Sequence, residues 1–171
     1  MFENIKNIII DVDGTMTDGG IYYDQTGNEW KKFNARDAVG FWIAQALEIR
    51  TIVITGRESY AVMRRMRDLG VENVYQGIKN KKDLILSLMH KFEFSTSELG
   101  YIGDDLNDLP AMCCAAFKAC PKDACTELLE TADYISSANG GEGAVRDIFI
   151  YIAKQQGKWQ IAMDYILNKF S

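Results

Sequence analysis

Ile8-Ile9-Ile10 runs directly into Asp11-Val12-Asp13-Gly14-Thr15. Three consecutive β-branched residues predict a strand buried on both faces, which requires helices above and below its sheet. The two carboxylates fall where that strand ends, and Gly14 lets the backbone turn and approach a ligand. Open α/β sheets bind ligands at the carboxyl ends of their strands, so this junction is the expected place for chemistry. Residues i and i+2 of an extended segment face the same way, so Asp11 and Asp13 can address one pocket. Two such carboxylates repel unless a cation, a proton or a cationic side chain intervenes. An isolated D-x-D-G is more commonly an Asx-turn with a solvated acid, so the chemical reading depends on matching parts elsewhere.

Strand-like and helix-like segments alternate almost throughout, which predicts a Rossmann-like, three-layer α/β/α fold with a mainly parallel sheet. After a first strand over 6–11, Gly20–Asp24 and Glu29–Phe33 read as a β-hairpin insertion (about 20–34) around Gln25-Thr26-Gly27-Asn28. A helix is expected over Ala35–Leu47 with Val39, Trp42, Ile43 and Ala46 on its inner stripe. Arg50–Thr55 is the second core strand, and the helix Ser59–Leu69 closes on Gly70. Asn73–Gln76 is a short strand, and Lys81–Phe92 a helix with Leu84, Leu88 and Met89 inward. Ser95 caps a short turn before the strand Leu99–Ile102, which ends in Gly103-Asp104-Asp105. Two further βα units run through Phe117–Leu129 and Tyr134–Gln156. Trp159–Phe170, in a tail of about 157–171, has the pattern of an amphipathic helix. With 171 residues and no repeat or linker, one domain over 1–171 is expected.

A net charge of −5 argues against nucleic acid or an anionic membrane as a partner. No apolar stretch is long enough to span a membrane and the N-terminus lacks a signal-peptide core, so a cytoplasmic location is expected. Cys113, Cys114, Cys120 and Cys125 contain no C-x-x-C pair and His90 is the sole histidine, so buried reduced thiols are expected rather than zinc. His90 follows Leu88-Met89 in a helical pattern and is expected at the surface or core edge.

The other strand ends supply matching parts. Thr55 follows the second strand, Lys81 opens the helix after the third, and Asp104, Asp105 and Asp108 follow the fourth. Carboxylates from two strand ends suit Mg²⁺, a hard ion that takes oxygen ligands. A hydroxyl and an ammonium suit phosphoryl oxygens, and phosphoryl transfer asks mainly for positioning and charge neutralisation. Taken singly, Thr55 is a turn, Lys81 a helix-surface residue and Asp104 a helix cap; their joint placement at one sheet edge points to phosphoryl chemistry.

Asp11-Val12-Asp13-Gly14-Thr15, Thr55-Gly56, Lys81 and Gly103-Asp104-Asp105-x-x-Asp108 resemble the four motifs of the haloacid dehalogenase superfamily of phosphohydrolases, in order and over nearly the whole chain. The resemblance implies an aspartyl-phosphate mechanism with Asp11 as nucleophile and Asp13 as general acid/base. It also implies Thr55 on a phosphoryl oxygen, Lys81 balancing charge, and Mg²⁺ held by Asp11, the Asp13 main-chain carbonyl and Asp104. Asp105 and Asp108 are then expected to support these ligands from behind. Gly14, Gly56, Asn34 and Ser59 complete the expected substrate contacts.

Residues 14–54 and 56–80 are already used by the hairpin, helices and strands, leaving no room for a cap domain. A capless enzyme must act on a macromolecule or borrow a lid from another subunit. Ile21, Tyr22, Tyr23, Trp30 and Phe33 give the hairpin more apolar surface than it can bury alone. An oligomer interface is expected there, with packing onto its own domain as the alternative. Asp18-Gly19-Gly20, Lys32-Phe33-Asn34-Ala35-Arg36-Asp37, Thr55-Gly56-Arg57-Glu58-Ser59 and Gly140-Gly141-Glu142-Gly143-Ala144-Val145-Arg146 resemble the 3-deoxy-D-manno-octulosonate 8-phosphate phosphatases. That resemblance implies a capless homotetramer with central hairpins and, as substrate, a phosphorylated eight-carbon 2-keto sugar acid on the route to lipopolysaccharide. Arg36 and Arg57 are then candidates for its carboxylate or hydroxyls. Arg146 either reaches a neighbouring site or forms a salt bridge at its own helix N-terminus.

The stretch 22–34 also resembles keto-deoxy-nonulosonate 9-phosphate phosphatases, in which an acidic residue tends to replace Arg57 and Arg36 is absent; having both arginines favours the octulosonate. Thr15-Met16 and Ala38 depart from the usual Val-Leu and Gly of the pattern. Two readings of other classes compete. A phospho-receiver domain lacks an acid two residues after its phosphoacceptor, so Asp13 argues against it. A capless phosphatase of a phosphoprotein or nucleic acid would be a monomer with an open site, and the acidic balance weighs against nucleic acid.

Overall fold

Ile8, Ile9 and Ile10 are all fully buried, as a strand covered on both faces requires. In the computed structural model, which describes residues 4–171, they make up most of β1 (Asn7–Ile10). The remaining strands are β2 (Tyr22–Tyr23), β3 (Glu29–Trp30), β4 (Arg50–Ile54), β5 (Asn73–Tyr75), β6 (Leu99–Ile102), β7 (Phe117–Cys120) and β8 (Tyr134–Ile135). Six of them form one sheet in the order β5-β4-β1-β6-β7-β8, and every pairing in it is parallel. Ile10 lies opposite Val53 and Ile102, so the residues leaving β1, β4 and β6 emerge together at one edge.

The connections are α1 (Ala38–Ala46), α2 (Tyr60–Leu69), α3 (Lys81–Lys91), α4 (Leu109–Met112), α5 (Thr126–Thr131), α6 (Ala144–Gln155) and α7 (Trp159–Asn168). Alternate strand residues feed two cores, as the two-residue strand period dictates. Ile8, Ile10 and Val53 pack with residues of α1, α2, α6 and α7. Ile9, Ile52, Ile54 and Tyr101 pack with residues of α3, α4 and α5. The outcome, among the described residues, is the expected three-layer α/β/α fold with no cap domain. Among the described residues no helix is long and apolar enough to cross a membrane.

Four local expectations need correction. The hairpin ladder holds only Tyr22–Trp30 and Tyr23–Glu29, with an isolated bridge between Thr17 and Phe33. The Asp24 carboxylate accepts from the Thr26 N–H, the Asn28 N–H and both their side chains, organising the loop as an Asx-turn. The pairs are missing at the opposite end, where Asp18 takes the Gly20 N–H at 3.1 Å and Phe33 bridges to Thr17.

The inner face of α1 is Gly40, Phe41, Ile43 and Ala44, while Val39, Trp42 and Ala46 are only half-buried. Ala35–Asp37 form a 3₁₀ turn capped by the Asn34 side chain, and the helix that follows is pressed by both α6 and α7. Phe41 meets Phe149 of α6 at 6.1 Å between ring centroids, and Trp42 meets Phe170 edge-on at 5.2 Å. The C-terminal helix therefore packs on α1 of its own chain.

The four thiols are free, but only Cys120 is buried; Cys114 and Cys125 are half-buried and Cys113 is exposed. On α3 the buried residues are Lys81, Ile85 and Leu88, so Leu84 and Met89 sit at the margin of that face.

Candidate active site

The chain leaves β1 toward β4 and β5 but leaves β6 toward β7 and β8. A crevice opens where the winding reverses in this way. Asp11 extends the β1 ladder by one bond, its N–H reaching the Ile102 carbonyl at 2.9 Å, and Asp104 follows β6 two residues beyond that carbonyl. Asp11 is buried. Lys81, at the first turn of α3, places Nζ 2.7 Å from Asp11 Oδ1 and 2.6 Å from Asp108 Oδ1. Asp108 is fully buried, and it also accepts from the Tyr101 hydroxyl at 2.6 Å and from the Asp104 N–H at 3.0 Å. Its oxygens are thus occupied by the protein, and it holds Lys81 and the Asp104 backbone in place.

Asp104 accepts a hydrogen bond from Thr15 Oγ1 at 2.8 Å. Its other oxygen lies so near Gly14 that a Cβ there would stand 2.0 Å from Oδ2, and Gly14 has φ +91°. Only glycine combines that left-handed backbone with that approach. The glycine stretch before α6 buttresses the same loop. A Cβ on Gly140 would fall 1.8 Å from the Gly14 carbonyl oxygen, and the Gly141 N–H donates to the Thr15 carbonyl at 3.2 Å.

Electrostatics single out Asp11 and Asp104. Burial, reinforced by Asp108 and opposed by Lys81, pushes the Asp11 carboxyl up to about 7. Burial and the nearby Asp11 push Asp104 up to about 8. Burial works against the charge of Lys81, yet Asp11 and Asp108 together hold its ammonium above the usual range. One oxygen from each of Asp11, Asp104 and Asp108 lies within 4.8 Å of the others. With Asp108 saturated, Asp11 and Asp104 offer hard oxygen donors whose charge is disfavoured without a cation, a set that fits Mg²⁺.

Asp13 points from the same loop toward β4 and the hairpin. Thr55 Oγ1 is 3.4 Å from its Oδ2 and also accepts the Arg57 N–H at 3.3 Å. Lys31, next to β3, is ion-paired with Asp13 and lies 2.9 Å from Glu29 Oε1. Glu29 pairs in turn with Arg57, whose Nη2 donates to the Tyr23 hydroxyl at 3.2 Å. A recess of about 710 Å³ opens beyond this chain of charges, lined by Glu29, Lys31, Ser59, Tyr60 and Arg65 among others.

Asp11, Lys81, Asp104 and Asp108 therefore meet directly, with Gly14 against Asp104, and Asp13 with Thr55 forms a second contact from the same loop. Asp105 does not join them: it is exposed and its carboxylate accepts the Leu106 N–H at 2.8 Å. Asn34 donates to the Gly141 carbonyl at 3.1 Å, tying the end of the hairpin to the glycine stretch. Gly56 and Arg36 are exposed. Ser59 donates its N–H to Gln76 Oε1 at 2.8 Å. Arg146 reaches the buried Asp37 through its main-chain N–H at 3.1 Å. Thr15, Lys31 and Tyr101 escape a sequence reading, because each does its work through a partner remote in the chain.

No protein-family model matches the chain. It is 38% identical over 156 residues to the 3-deoxy-D-manno-octulosonate 8-phosphate phosphatase KdsC of Escherichia coli (strain K12), covering 91% of this chain and 83% of that one. A Legionella pneumophila structure assigned to subfamily III A of the HAD (haloacid dehalogenase) superfamily of hydrolases superposes with a TM-score of 0.93 at 34% identity, covering 98% and 92%. The Moraxella catarrhalis 3-deoxy-D-manno-octulosonate 8-phosphate phosphatase, solved with magnesium, phosphate and KDO, superposes with a TM-score of 0.91 at 35% identity, covering 99% and 95%. Fold and relatives together define a phosphoric monoester hydrolase of the haloacid dehalogenase superfamily. Within it, the chain belongs to the family of 3-deoxy-D-manno-octulosonate 8-phosphate phosphatases.

Proposed function

We propose that this enzyme removes phosphate from 3-deoxy-D-manno-octulosonate 8-phosphate through an aspartyl-phosphate at Asp11. The observation that carries the reading is the buried Lys81 clamp on Asp11 with Asp13 and Thr55 beside it. An Asp11 carboxylate oxygen attacks phosphorus opposite the ester oxygen. The phosphorus–oxygen bond to the sugar breaks, and Asp13 gives its proton to the departing alkoxide. Water then attacks the Asp11 phosphoryl group while Asp13 takes its proton, and inorganic phosphate leaves. Lys81 compensates the charge of Asp11 and the phosphoryl group, and Thr55 offers its hydroxyl to a phosphoryl oxygen. Mg²⁺, held by the Asp11 and Asp104 carboxylates and the Asp13 carbonyl, would supply the positive charge that neutralises nucleophile and phosphoryl group.

The Moraxella catarrhalis relative, which holds magnesium, phosphate and KDO, supports both the metal and the sugar acid. Arg57, Arg36, Asn34 and Arg146 are our candidates for the carboxylate and hydroxyls of the sugar. The hairpin exposes Ile21, Tyr22, Tyr23 and Trp30 at 53%, 46%, 63% and 64%, which supports a homotetramer assembled through it. The test of the covalent step is an acid quench during turnover of phosphate-labelled substrate, followed by peptide mapping. Label on Asp11 is expected; an unlabelled protein with turnover intact would overturn the mechanism.

A further inference from the structure

Two adjacent lysines of the hairpin have opposite fates. The Lys32 side chain is 61% exposed, whereas that of Lys31 is only 1% exposed. An ammonium withdrawn from water to that degree persists only when paired, and Lys31 is paired twice, with Asp13 and with Glu29. Glu29 is held from its far side by Arg57, itself in contact with Tyr23. The hairpin thus delivers a fixed cation to the carboxylate two residues after the nucleophile.

We propose that Lys31 is a positioning residue that sets the Asp13 carboxyl group for proton transfer, with Glu29 and Arg57 holding Lys31 on station. The oxygens of Asp13 are unequal. Oδ1 carries the Lys31 ion pair, while the 3.4 Å contact of Oδ2 with Thr55 Oγ1 is longer than an ordinary hydroxyl hydrogen bond. Pinning Oδ1 fixes the plane of the group and leaves Oδ2 as the oxygen that exchanges a proton. The first step starts from the protonated form of Asp13, whose Oδ2–H bond breaks as the sugar alkoxide gains that proton and loses phosphorus, leaving the carboxylate that the Lys31 ion pair holds. In the second step Oδ2 takes a proton from the water that attacks the phosphoryl group on Asp11. Lys31 keeps its own protons throughout. This inference rests on the acid/base reading of Asp13, and its test separates the two.

The experiment compares kcat/KM, which reports the steps through phosphoryl transfer to Asp11, for two substrates with Mg²⁺ present. One is the sugar-acid 8-phosphate, whose alkoxide needs a proton to leave; the other is p-nitrophenyl phosphate, whose phenolate does not. Lys31→Met is expected to lower kcat/KM about 30-fold or more on the alkyl ester and less than about 3-fold on the aryl ester, since general-acid help contributes roughly 10²–10⁴ where it is needed. Lys31→Arg, which keeps the charge, should recover most of the loss. Equal losses on both esters, or no loss on the alkyl ester, would overturn the proposal. Asp13→Asn is measured in parallel and should show the same selectivity more strongly. If it shows none, the Asp13 reading fails and the proposal with it; if it does and Lys31→Met does not, only the Lys31 proposal fails. Should Lys31→Met not fold, Glu29→Gln is read by the same ratio, with a smaller selective loss expected and equal losses counting against the proposal.

Discussion

Gly14 shows how closely the site is built at the scale of one residue. Its φ of +91° and the Asp104 oxygen 2.0 Å from any added Cβ exclude alanine on two independent grounds. Gly14→Ala should cost about 1–3 kcal/mol of stability and displace Asp104, lowering activity at least about 10²-fold; wild-type rate and melting temperature in this variant would contradict the geometry. Asp11→Asn tests a different property. Burial already penalises the charged form of Asp11, so a neutral isostere should leave the melting temperature within a few degrees while turnover is lost, and a variant with near wild-type rate would rule out Asp11 as nucleophile. Asp11, Thr55, Lys81 and Asp104 were legible from the sequence because a strand end is a local signal and parallel strands bring their ends together. Thr15, Lys31 and Tyr101 were not. Thr15 matters through Asp104, Lys31 through Asp13 and Tyr101 through Asp108, and nothing near each residue announces the partner.

Among the elements, the strands and helices followed from apolar period and glycine punctuation, as Gly70 illustrates by closing α2 at φ +72°. The inner face of α1 did not. A periodic pattern assumes one apolar stripe, but α1 is covered from two sides, so Phe41 and Ala44 are buried and Trp42 is covered by Phe170. Phe41→Ala should therefore destabilise the protein by about 3–5 kcal/mol, measured by denaturant unfolding; a change below about 1 kcal/mol would mean that Phe41 does not anchor α1 on α6. The hairpin lies where its pattern puts it, with a shorter ladder, because Asp18 takes the Gly20 N–H and Phe33 bridges to Thr17 at its open end.

The whole molecule carries the consequence of two reluctant carboxylates. Asp11 and Asp104, raised to about 7 and about 8, retain protons in the folded state that the unfolded chain has lost. Their contribution to the stability of the metal-free protein is complete below the ordinary carboxylate pKa of about 4 and disappears as pH rises through 7 and 8. Melting temperature without metal should fall across that window. At pH 8, Mg²⁺ at about 100 times its Kd should restore about 2.7 kcal/mol, or about 5–10 °C for a chain of this size. A melting temperature indifferent to both pH and Mg²⁺ would count against Asp11 and Asp104 as the metal site. Size-exclusion chromatography with light scattering should give a tetramer, and substituting the exposed Tyr23 and Trp30 by serine should dissociate it. A wild-type monomer would remove the hairpin from the assembly.

The central claim, a phosphatase shaped for an eight-carbon sugar acid, is tested most directly by kcat/KM of the wild-type enzyme with Mg²⁺ on octulosonate 8-phosphate, nonulosonate 9-phosphate and a simple aryl phosphate. Octulosonate 8-phosphate should exceed the aryl ester by at least about 10²-fold, because polar groups that hydrogen-bond the sugar acid find no partner on an ester that lacks it. It should also exceed the nonulosonate ester. Equal, low values for all three would contradict the account.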